Sequence, residues 1–136
     1  MKRRIFLALM LLPTLAQAHS SKLGNIAIGH SWALPSSTAE AQVMMPLLNN
    51  GETPDSLIAA SSPIATSVEL RDADQVETEF VLEPHKPFPM RAAARHLHLL
   101  GLNQALVQGA MFPLTLKFKT AGEIEIQIHI ADKPGE

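Results

Sequence analysis

The chain of 136 residues is long enough for one compact domain, and its composition excludes several classes of protein. Its 11 basic and 13 acidic residues give a formal net charge of −2. This balance argues against nucleic acid as a partner, because phosphate binding needs a basic surface. The absence of cysteine excludes thiolate metal sites, cysteine nucleophiles and dithiol redox chemistry. The core alone must therefore stabilise the fold, without disulfides.

The first residues have the pattern of a cleaved secretory signal peptide. Residues 2–4 (Lys-Arg-Arg) are basic, residues 5–15 are apolar, and residues 16–18 (Ala-Gln-Ala) form a cleavage signal. The apolar segment is too short for a membrane span, which needs about 20 residues. We therefore predict cleavage after Ala18, export to the periplasm, and a mature chain, residues 19–136, that forms one domain without a membrane span. The mature chain keeps 8 basic and 13 acidic residues, a net charge of about −5.

The first half of the mature chain contains several short segments typical of β-strands. Residues 42–60 have the pattern of a strand, an Asn-Asn-Gly turn and a second strand. Residues 67–71 and 76–83 are further strand candidates. Residues 25–34 alternate in polarity, which predicts that one face is shared by Ile26, Ile28, His30, Trp32 and Leu34.

The second half begins with an irregular segment and ends with a clear hairpin. Residues 83–94 are rich in proline and predict an irregular connection or an edge strand. In residues 113–130, apolar and polar residues alternate on both sides of a Thr-Ala-Gly turn, which predicts a β-hairpin. Many short strands separated by turns favour a β-sandwich or barrel, so the predicted class is all-β.

The segment "RHLHLLGL", residues 95–102, carries two histidines in a run of leucines. In a strand, Leu97 and Leu99 point to one face, and His96 and His98 point to the other. The leucines are the natural core residues, so we expect the imidazoles to face solvent or the rim of the sandwich. Two imidazoles on one face can bind one metal ion, although a His-x-His pattern alone is weak evidence for it.

The other histidines and the methionines give weaker signals. His129 shares a polar face with glutamate and glutamine, which predicts a solvated side chain. His30 shares an apolar face, which favours a buried, hydrogen-bonded imidazole over a metal ligand. His85 lies in the proline-rich segment, whose pattern assigns it no role. The methionines of the mature chain are interpreted as core filler: Met44, Met45, Met90 and Met111.

Cleavage after Ala18 makes His19 the first residue of the mature chain. An amino-terminal histidine offers its α-amine and its Nδ1 atom to one metal ion. A third imidazole completes the planar arrangement called a histidine brace, which suits Cu(II). The α-amine must lose its proton to bind, so the affinity should fall in mild acid. The alternative is that processing simply leaves a histidine at this position.

Four segments follow one another along the mature chain: "HSSKLGNIAIGHSWAL" (19–34), "MMPLLNNGETPDSLIAASSPIATSVEL" (44–70), "RHLHLLGL" (95–102) and "FPLTLKFKTAGEIEIQI" (112–128). Their order resembles the periplasmic copper chaperones that contain a PCuAC domain. This likeness covers about nine tenths of residues 19–136. It implies a cupredoxin-like β-sandwich of about seven to nine short, mostly antiparallel strands. It also implies copper delivery to a respiratory oxidase subunit, its assembly factor or another copper enzyme.

The chain departs from this family at the metal site. Members bind Cu(I) through two histidines and two methionines, because thioethers prefer the monovalent ion. Here Arg71 occupies the position of the first histidine, and residues 71–80 contain no methionine. His96 matches the second histidine, but His98 stands where the family has methionine. The usual Cu(I) site is therefore not expected.

Three hypotheses follow for the function. In the first, copper, preferentially Cu(II), binds through the nitrogens of His19, His96 and His98. In the second, copper binding has been lost and the domain serves as a periplasmic protein-interaction module. In the third and weaker one, the same three histidines bind zinc. No catalytic triad, carboxylate pair or phosphate loop is apparent, so we do not expect an enzyme.

Overall fold

The computed structural model describes residues 20–132, which contain strands and turns and no helix that could cross a membrane. The described residues therefore confirm the predicted all-β class. Thirteen strands are found in them, more than the seven to nine predicted, because several are only two or three residues long. The strands are β1 Ser21–Leu23, β2 Ile26–Ile28, β3 Trp32–Ala33, β4 Glu40–Met44, β5 Leu47–Asn49, β6 Asp55–Ser61, β7 Ser67–Asp72, β8 Gln75–Glu77, β9 Phe80–Leu82, β10 Pro87–Phe88, β11 Arg95–Leu100, β12 Met111–Phe118 and β13 Gly122–Ile130.

Two sheets are formed, and the larger one carries His96, His98 and His129. The smaller sheet has the order β1-β2-β5-β10. The larger sheet has the order β8-β7-β11-β4-β3-β13-β12-β6-β9. All pairs are antiparallel except β3 with β13, which is parallel. The order places β11 between β7 and β4, well inside the larger sheet.

The predicted C-terminal hairpin is present as β12 and β13. Leu114 lies opposite Ile126 and Phe112 opposite Ile128, and all four side chains are buried. The alternation seen in the sequence thus assigns the core face correctly, because polar residues between these positions point away from it. Asp55 secures the turn: its carboxylate accepts hydrogen bonds from the backbone N–H groups of Ser56, Thr120 and Ala121, at 2.8–2.9 Å.

The alternation of residues 25–34 does not continue through one strand, so the single shared face predicted there is wrong. Ile26 and Ile28 are buried in β2, which belongs to the smaller sheet. After Gly29 the chain crosses to the larger sheet, where β3 buries Ala33 and leaves Trp32 partly exposed. The crossing shifts the period by one residue, and a period-two pattern cannot reveal such a shift.

The proline-rich segment contains β10, which pairs with β5 at the edge of the smaller sheet formed by the described residues. This confirms the expectation of an edge strand, where proline does not remove a needed hydrogen bond. His85 and Ala93 flank β10 with positive φ angles of 62° and 64°. Ala93 lies in the loop that leads into β11.

Candidate metal centre

His96 and His98 lie on β11, on the face opposite the core. Leu97 and Leu99 are fully buried, as predicted. The register places His96 opposite Arg71 of β7, and His98 between Glu69 of β7 and Gln42 of β4. Because directly opposite residues in a sheet share a face, these polar side chains converge around the two imidazoles.

The imidazoles are nevertheless buried, which corrects the expectation that they face solvent. Only 2% of His96 and 9% of His98 is exposed. The loop before β11 folds beside them, and its Ala93 N–H donates to Gln42 Oε1 at 2.8 Å. An open cleft of about 230 Å³ remains, lined by Gln42, Arg71, Ala73, Asp74, Ala93, His96 and His98. The alternation of residues in the sequence correctly predicted the face of β11 on which His96 and His98 lie. Their burial depends on the loop before β11, which the alternation does not describe.

A chain of hydrogen bonds runs through both rings. His96 Nδ1 lies 2.7 Å from the carbonyl oxygen of Ala94 and must donate, because a carbonyl only accepts. His96 Nε2 lies 3.0 Å from His98 Nδ1, and His98 Nε2 lies 2.6 Å from Glu40 Oε1. If His96 is neutral, its Nε2 accepts a hydrogen bond from Nδ1 of His98. His98 then donates from both ring nitrogens, to His96 and to the Glu40 carboxylate.

The protonation of this chain follows from its surroundings. Burial lowers the pKa of His96, and the charge of Arg71 adds to this, so the ring favours its neutral form. The hydrogen bond from His98 lowers the pKa of Glu40, so that carboxyl group favours its ionised form. Both shifts support a neutral His96 and a carboxylate at Glu40.

Arg71 is the main positive charge beside the pair. Its Nε and Nη2 atoms donate to Glu69 Oε1 at 2.9 and 2.8 Å. This ion pair offsets part of the repulsion that a guanidinium exerts on a bound cation. Arg71 therefore brings a positive charge to the pair, as the sequence predicts, and Glu69 partly neutralises that charge.

The pair supplies two nitrogens, and a metal site needs more. Within residues 20–132 there is no group of three histidine, aspartate or glutamate side chains that could hold one ion. His19, the third predicted ligand, lies outside the described residues. The brace of His19 with His96 or His98, and the zinc site at the same three residues, both stay predictions.

A second histidine pair is present that the sequence did not predict. The rings of His30 and His129 stack with their centroids 5.6 Å apart and their planes inclined by 28°. The predicted solvated His129 thus has a ring neighbour, which no local pattern could indicate for residues so far apart in the chain. His85 is exposed instead, with Nε2 3.2 Å from Glu52 Oε2.

The methionines divide into two groups. Met44, Met45 and Met90 are buried, as expected for core filler. Met111 is 54% exposed at the start of β12, so its interpretation as core filler is wrong. Its register partner is His129, which places a thioether beside the second histidine pair.

A family model of LpqE-like lipoproteins matches residues 26–130, which is most of the chain. The chain belongs to the LpqE-like family. A comparison with curated proteins finds no match. The matched region of this LpqE-like protein begins at β2 and ends at β13, and so contains both histidine pairs.

Solved structures share the fold of this LpqE-like protein. The copper-bound PCuAC domain from PmoF2 is 27% identical with a TM-score of 0.79, and covers 85% of this chain and 100% of that domain. The apo PCuAC domain from PmoF1 is 26% identical, with the same TM-score and coverage. The Cu(I) form of DR1885 from Deinococcus radiodurans is 19% identical with a TM-score of 0.63, and covers 78% of this chain and 80% of its own. These matches confirm the predicted PCuAC-type family and its cupredoxin-like β-sandwich.

Proposed function

We propose that this protein binds copper and carries it to a copper protein outside the cytoplasm. The observation that supports this most strongly is the likeness to a copper-bound PCuAC domain along 85% of the chain. A buried pair of imidazoles on β11, where the resemblance expects the retained ligand, also supports it.

The first candidate site is the one suggested by the sequence, with His96, His98 and His19 as ligands. His96 Nε2 and His98 Nδ1 are 3.0 Å apart. With metal–nitrogen distances of about 2.0 Å, that separation corresponds to a nitrogen–metal–nitrogen angle of roughly 95–100°. This is close to the angle between neighbouring ligands in tetragonal Cu(II). The amine and imidazole of an amino-terminal His19 would supply further nitrogens.

Nitrogen ligands favour Cu(II) over Cu(I), so we propose Cu(II) as the preferred cargo. Binding at His96 and His98 must displace the proton that they share, and therefore becomes tighter as the pH rises. Zinc is a weaker candidate, because copper binds a given nitrogen site more tightly than zinc does.

The proposed setting is the periplasm. Residues 1–18 have the features of a signal peptide, and the family is one of lipoproteins, which fits a location outside the cytoplasm. The mature domain, residues 19–136, would act as a carrier and not as an enzyme. A respiratory oxidase subunit or its assembly factor is the proposed recipient.

One observation favours the alternative of a protein-interaction module without copper. All four ring nitrogens of His96 and His98 already take part in hydrogen bonds, and Arg71 lies opposite His96. A metal ion that binds both imidazoles must break the hydrogen bond between them, and the positive charge of Arg71 repels it. The domain could therefore keep the fold while binding only a protein.

A copper titration of the mature protein tests the proposal. The protein should be prepared with His19 as its first residue, and in a second form with one residue added before it. We expect the native form to bind one equivalent of copper, and the extended form to bind it at least tenfold more weakly, because its amine has become an amide. His85→Gln is the control, since His85 is exposed and remote from the β11 cleft.

Two results would contradict parts of this proposal. Equal Cu(II) affinity in the two forms would remove His19 from the site. Failure of the native form to bind either Cu(I) or Cu(II) would favour the protein-interaction module.

A further inference from the structure

Glu40 lies beside the β11 pair, at the start of the neighbouring strand β4. The side chains of Ala41 and Val43 are buried in the core, so the side chain of Glu40 points to the opposite face. Gln42 is the register partner of His98, and Glu40 is therefore a diagonal neighbour of His98 on the same face. Diagonal neighbours lie about 7–8 Å apart, within reach of a long side chain. The carboxylate of Glu40 crosses this gap and accepts a hydrogen bond from His98 Nε2 at 2.6 Å.

The backbone of Glu40 is fixed by the turn that precedes it. Ser36 Oγ and Thr38 Oγ1 donate to the carbonyl oxygen of Glu40 at 2.6 and 3.1 Å. The N–H group of Glu40 donates to Thr38 Oγ1 at 3.2 Å. Such bonds between hydroxyl side chains and nearby backbone are typical of turns. The turn and the strand pairing together set the position from which the carboxylate reaches His98.

Each imidazole of the β11 pair has one ring nitrogen bound to the surrounding protein and one that faces the other ring. His96 Nδ1 donates to the carbonyl oxygen of Ala94, which also accepts from the N–H group of Ala73 at 3.0 Å. His98 Nε2 donates to Glu40. The facing nitrogens, His96 Nε2 and His98 Nδ1, lie 3.0 Å apart, and the ring planes are inclined by 60°. One ion can bind both facing nitrogens while both outer hydrogen bonds stay in place.

The hydrogen bond to Glu40 determines which nitrogen of His98 is available to a metal ion. A ring nitrogen that carries a proton donates and cannot bind an ion, and the partner of one nitrogen sets the role of the other. Because Glu40 holds a proton on Nε2, Nδ1 is the nitrogen left for copper. The two nitrogens of one ring point away from each other, so the carboxylate at Nε2 does not contact an ion at Nδ1. Glu40 therefore orients a ligand and is not itself a ligand.

The exposure of Glu40 argues against a mainly structural role. Its side chain is 57% exposed, whereas that of His98 is only 11% exposed. Ion pairs of exposed carboxylates contribute little to stability. The bond is instead placed to hold a buried ring in one orientation. A second carboxylate–histidine pair, Glu52 with His85, is exposed on both sides and lies away from the cleft.

We propose that Glu40 is a positioning residue of the copper site, whose carboxylate holds the ring of His98 so that Nδ1 faces Nε2 of His96. This proposal rests on the proposed copper-binding function of the β11 pair and adds to it a residue that acts through a ligand. A carboxylate that accepts from a metal-binding histidine fixes the orientation of the ring, and its loss typically weakens metal binding by roughly 10–100-fold.

Copper binding by four forms of the mature protein tests this role: the unaltered protein, Glu40→Ala, Glu40→Gln and Glu52→Ala. Cu(II) affinities are measured by competition with a chromophoric chelator, and coordinated nitrogens are counted by electron paramagnetic resonance. We expect Glu40→Ala to weaken Cu(II) binding by roughly tenfold or more and to alter the nitrogen couplings. Glu40→Gln keeps an oxygen that accepts from Nε2, so its affinity should fall by less than about threefold. Glu52→Ala, the control from the exposed pair, should bind copper like the unaltered protein.

Nuclear magnetic resonance of the ring nitrogens gives a readout that needs no copper. In the copper-free unaltered protein, the Nε2 proton of His98 should exchange slowly with water, because it is held by the hydrogen bond to Glu40. This protection should be lost in Glu40→Ala and kept in Glu40→Gln and Glu52→Ala. An Nε2 proton that is equally protected in Glu40→Ala would overturn the positioning role.

The copper measurements separate this proposal from the proposed function. If Glu40→Ala binds Cu(II) within about threefold of the unaltered protein, the positioning role is overturned and the copper-binding function stands. Equal losses in Glu40→Ala and Glu40→Gln would show that charge and not orientation matters, which also overturns it. Failure of the unaltered protein to bind Cu(I) or Cu(II) overturns both proposals. Glu40→Thr replaces Glu40→Ala if circular dichroism shows the latter to be unfolded, because threonine suits a strand and is too short to reach His98.

Discussion

At the scale of the residue, burial determines how the histidines of β11 behave. A neutral His96 satisfies both of its ring nitrogens, because Nδ1 donates to Ala94 and Nε2 accepts from His98. A protonated His96 would have to donate from both nitrogens, and would lie beside the positive charge of Arg71. Burial disfavours the charged form of the ring, and the charge of Arg71 adds to this effect, so the pKa of His96 is lowered in the folded protein.

The stability of the protein should decrease at low pH, in part because folding lowers the pKa of His96. The folded pKa is below the ordinary histidine value of about 6.5, so the unfolded chain binds more protons as the pH falls below that value. The contribution of neutral His96 to the free energy of unfolding is complete above pH ~6.5 and declines as the pH falls toward the lowered pKa. We expect the urea midpoint to decrease less in His96→Gln than in the unaltered protein between pH 7.5 and 5.5.

The matched control for this measurement is His85→Gln, which removes an exposed histidine. Its midpoint should follow that of the unaltered protein across the range. Identical pH profiles for His96→Gln and the unaltered protein would show that His96 does not titrate differently on folding. Glu40 does not interfere, because its pKa is lowered from a value that already lies below this window.

At the scale of the element, the crossing between β2 and β3 decides where His30 lies. Gly29 occupies this crossing, and its N–H group donates to the carbonyl oxygen of Pro46 at 2.9 Å. A Cβ atom at position 29 would lie 2.5 Å from Cγ of Pro46, closer than atoms can pack. The close approach of the two segments therefore requires glycine.

Gly29→Ala should destabilise the protein by about 1–3 kcal/mol, which is typical of overpacking. Pro46 is exposed, so Pro46→Ala alone should cost less. In the double variant the ring atoms that clash are gone, and most of the lost stability should return. Urea unfolding of the unaltered protein, the two single variants and the double variant measures the interaction energy between positions 29 and 46. Additive effects of the two changes would contradict the proposed clash.

At the scale of the whole molecule, both histidine pairs are built on the larger sheet. The β11 pair is placed by its neighbours β7 and β4, and the second pair by β13 and the segment that enters β3. His30 and His129 are far apart in the unfolded chain, and the groups that surround His96 and His98 in the fold come from the distant strands β4 and β7. An ion that binds the β11 pair in these surroundings should therefore stabilise the folded state.

Copper should raise the melting temperature of the mature protein. A free copper concentration of one hundred times the Kd adds about 2.7 kcal/mol, which corresponds to roughly 10 °C or more for a domain of this size. Zinc at the same concentration should have a smaller effect, because it binds nitrogen ligands more weakly than Cu(II). Scanning calorimetry with and without a chelator measures this shift. An unchanged melting temperature would argue against a copper site in the folded protein.

Local patterns predicted much of the fold. The alternation in residues 113–130 identified the hairpin and its buried face, since side chains of a strand alternate whatever the tertiary context. Leu97 and Leu99 were assigned to the core for the same reason. The resemblance identified the PCuAC-type fold. The crossing at Gly29 was missed, because a shift of one residue between two sheets leaves no periodic signal.

The amino-acid sequence by itself determined the β-strand class, the faces of the long strands, and a supply of nitrogen ligands without thiols. Only the tertiary structure decided which imidazoles meet. His96 and His98 are buried by a loop that their own strand does not encode, and His30 reaches His129 from the other end of the chain. Strand periodicity is local and depends on neighbouring residues, whereas burial and ring contacts depend on which distant segments the sheets bring together.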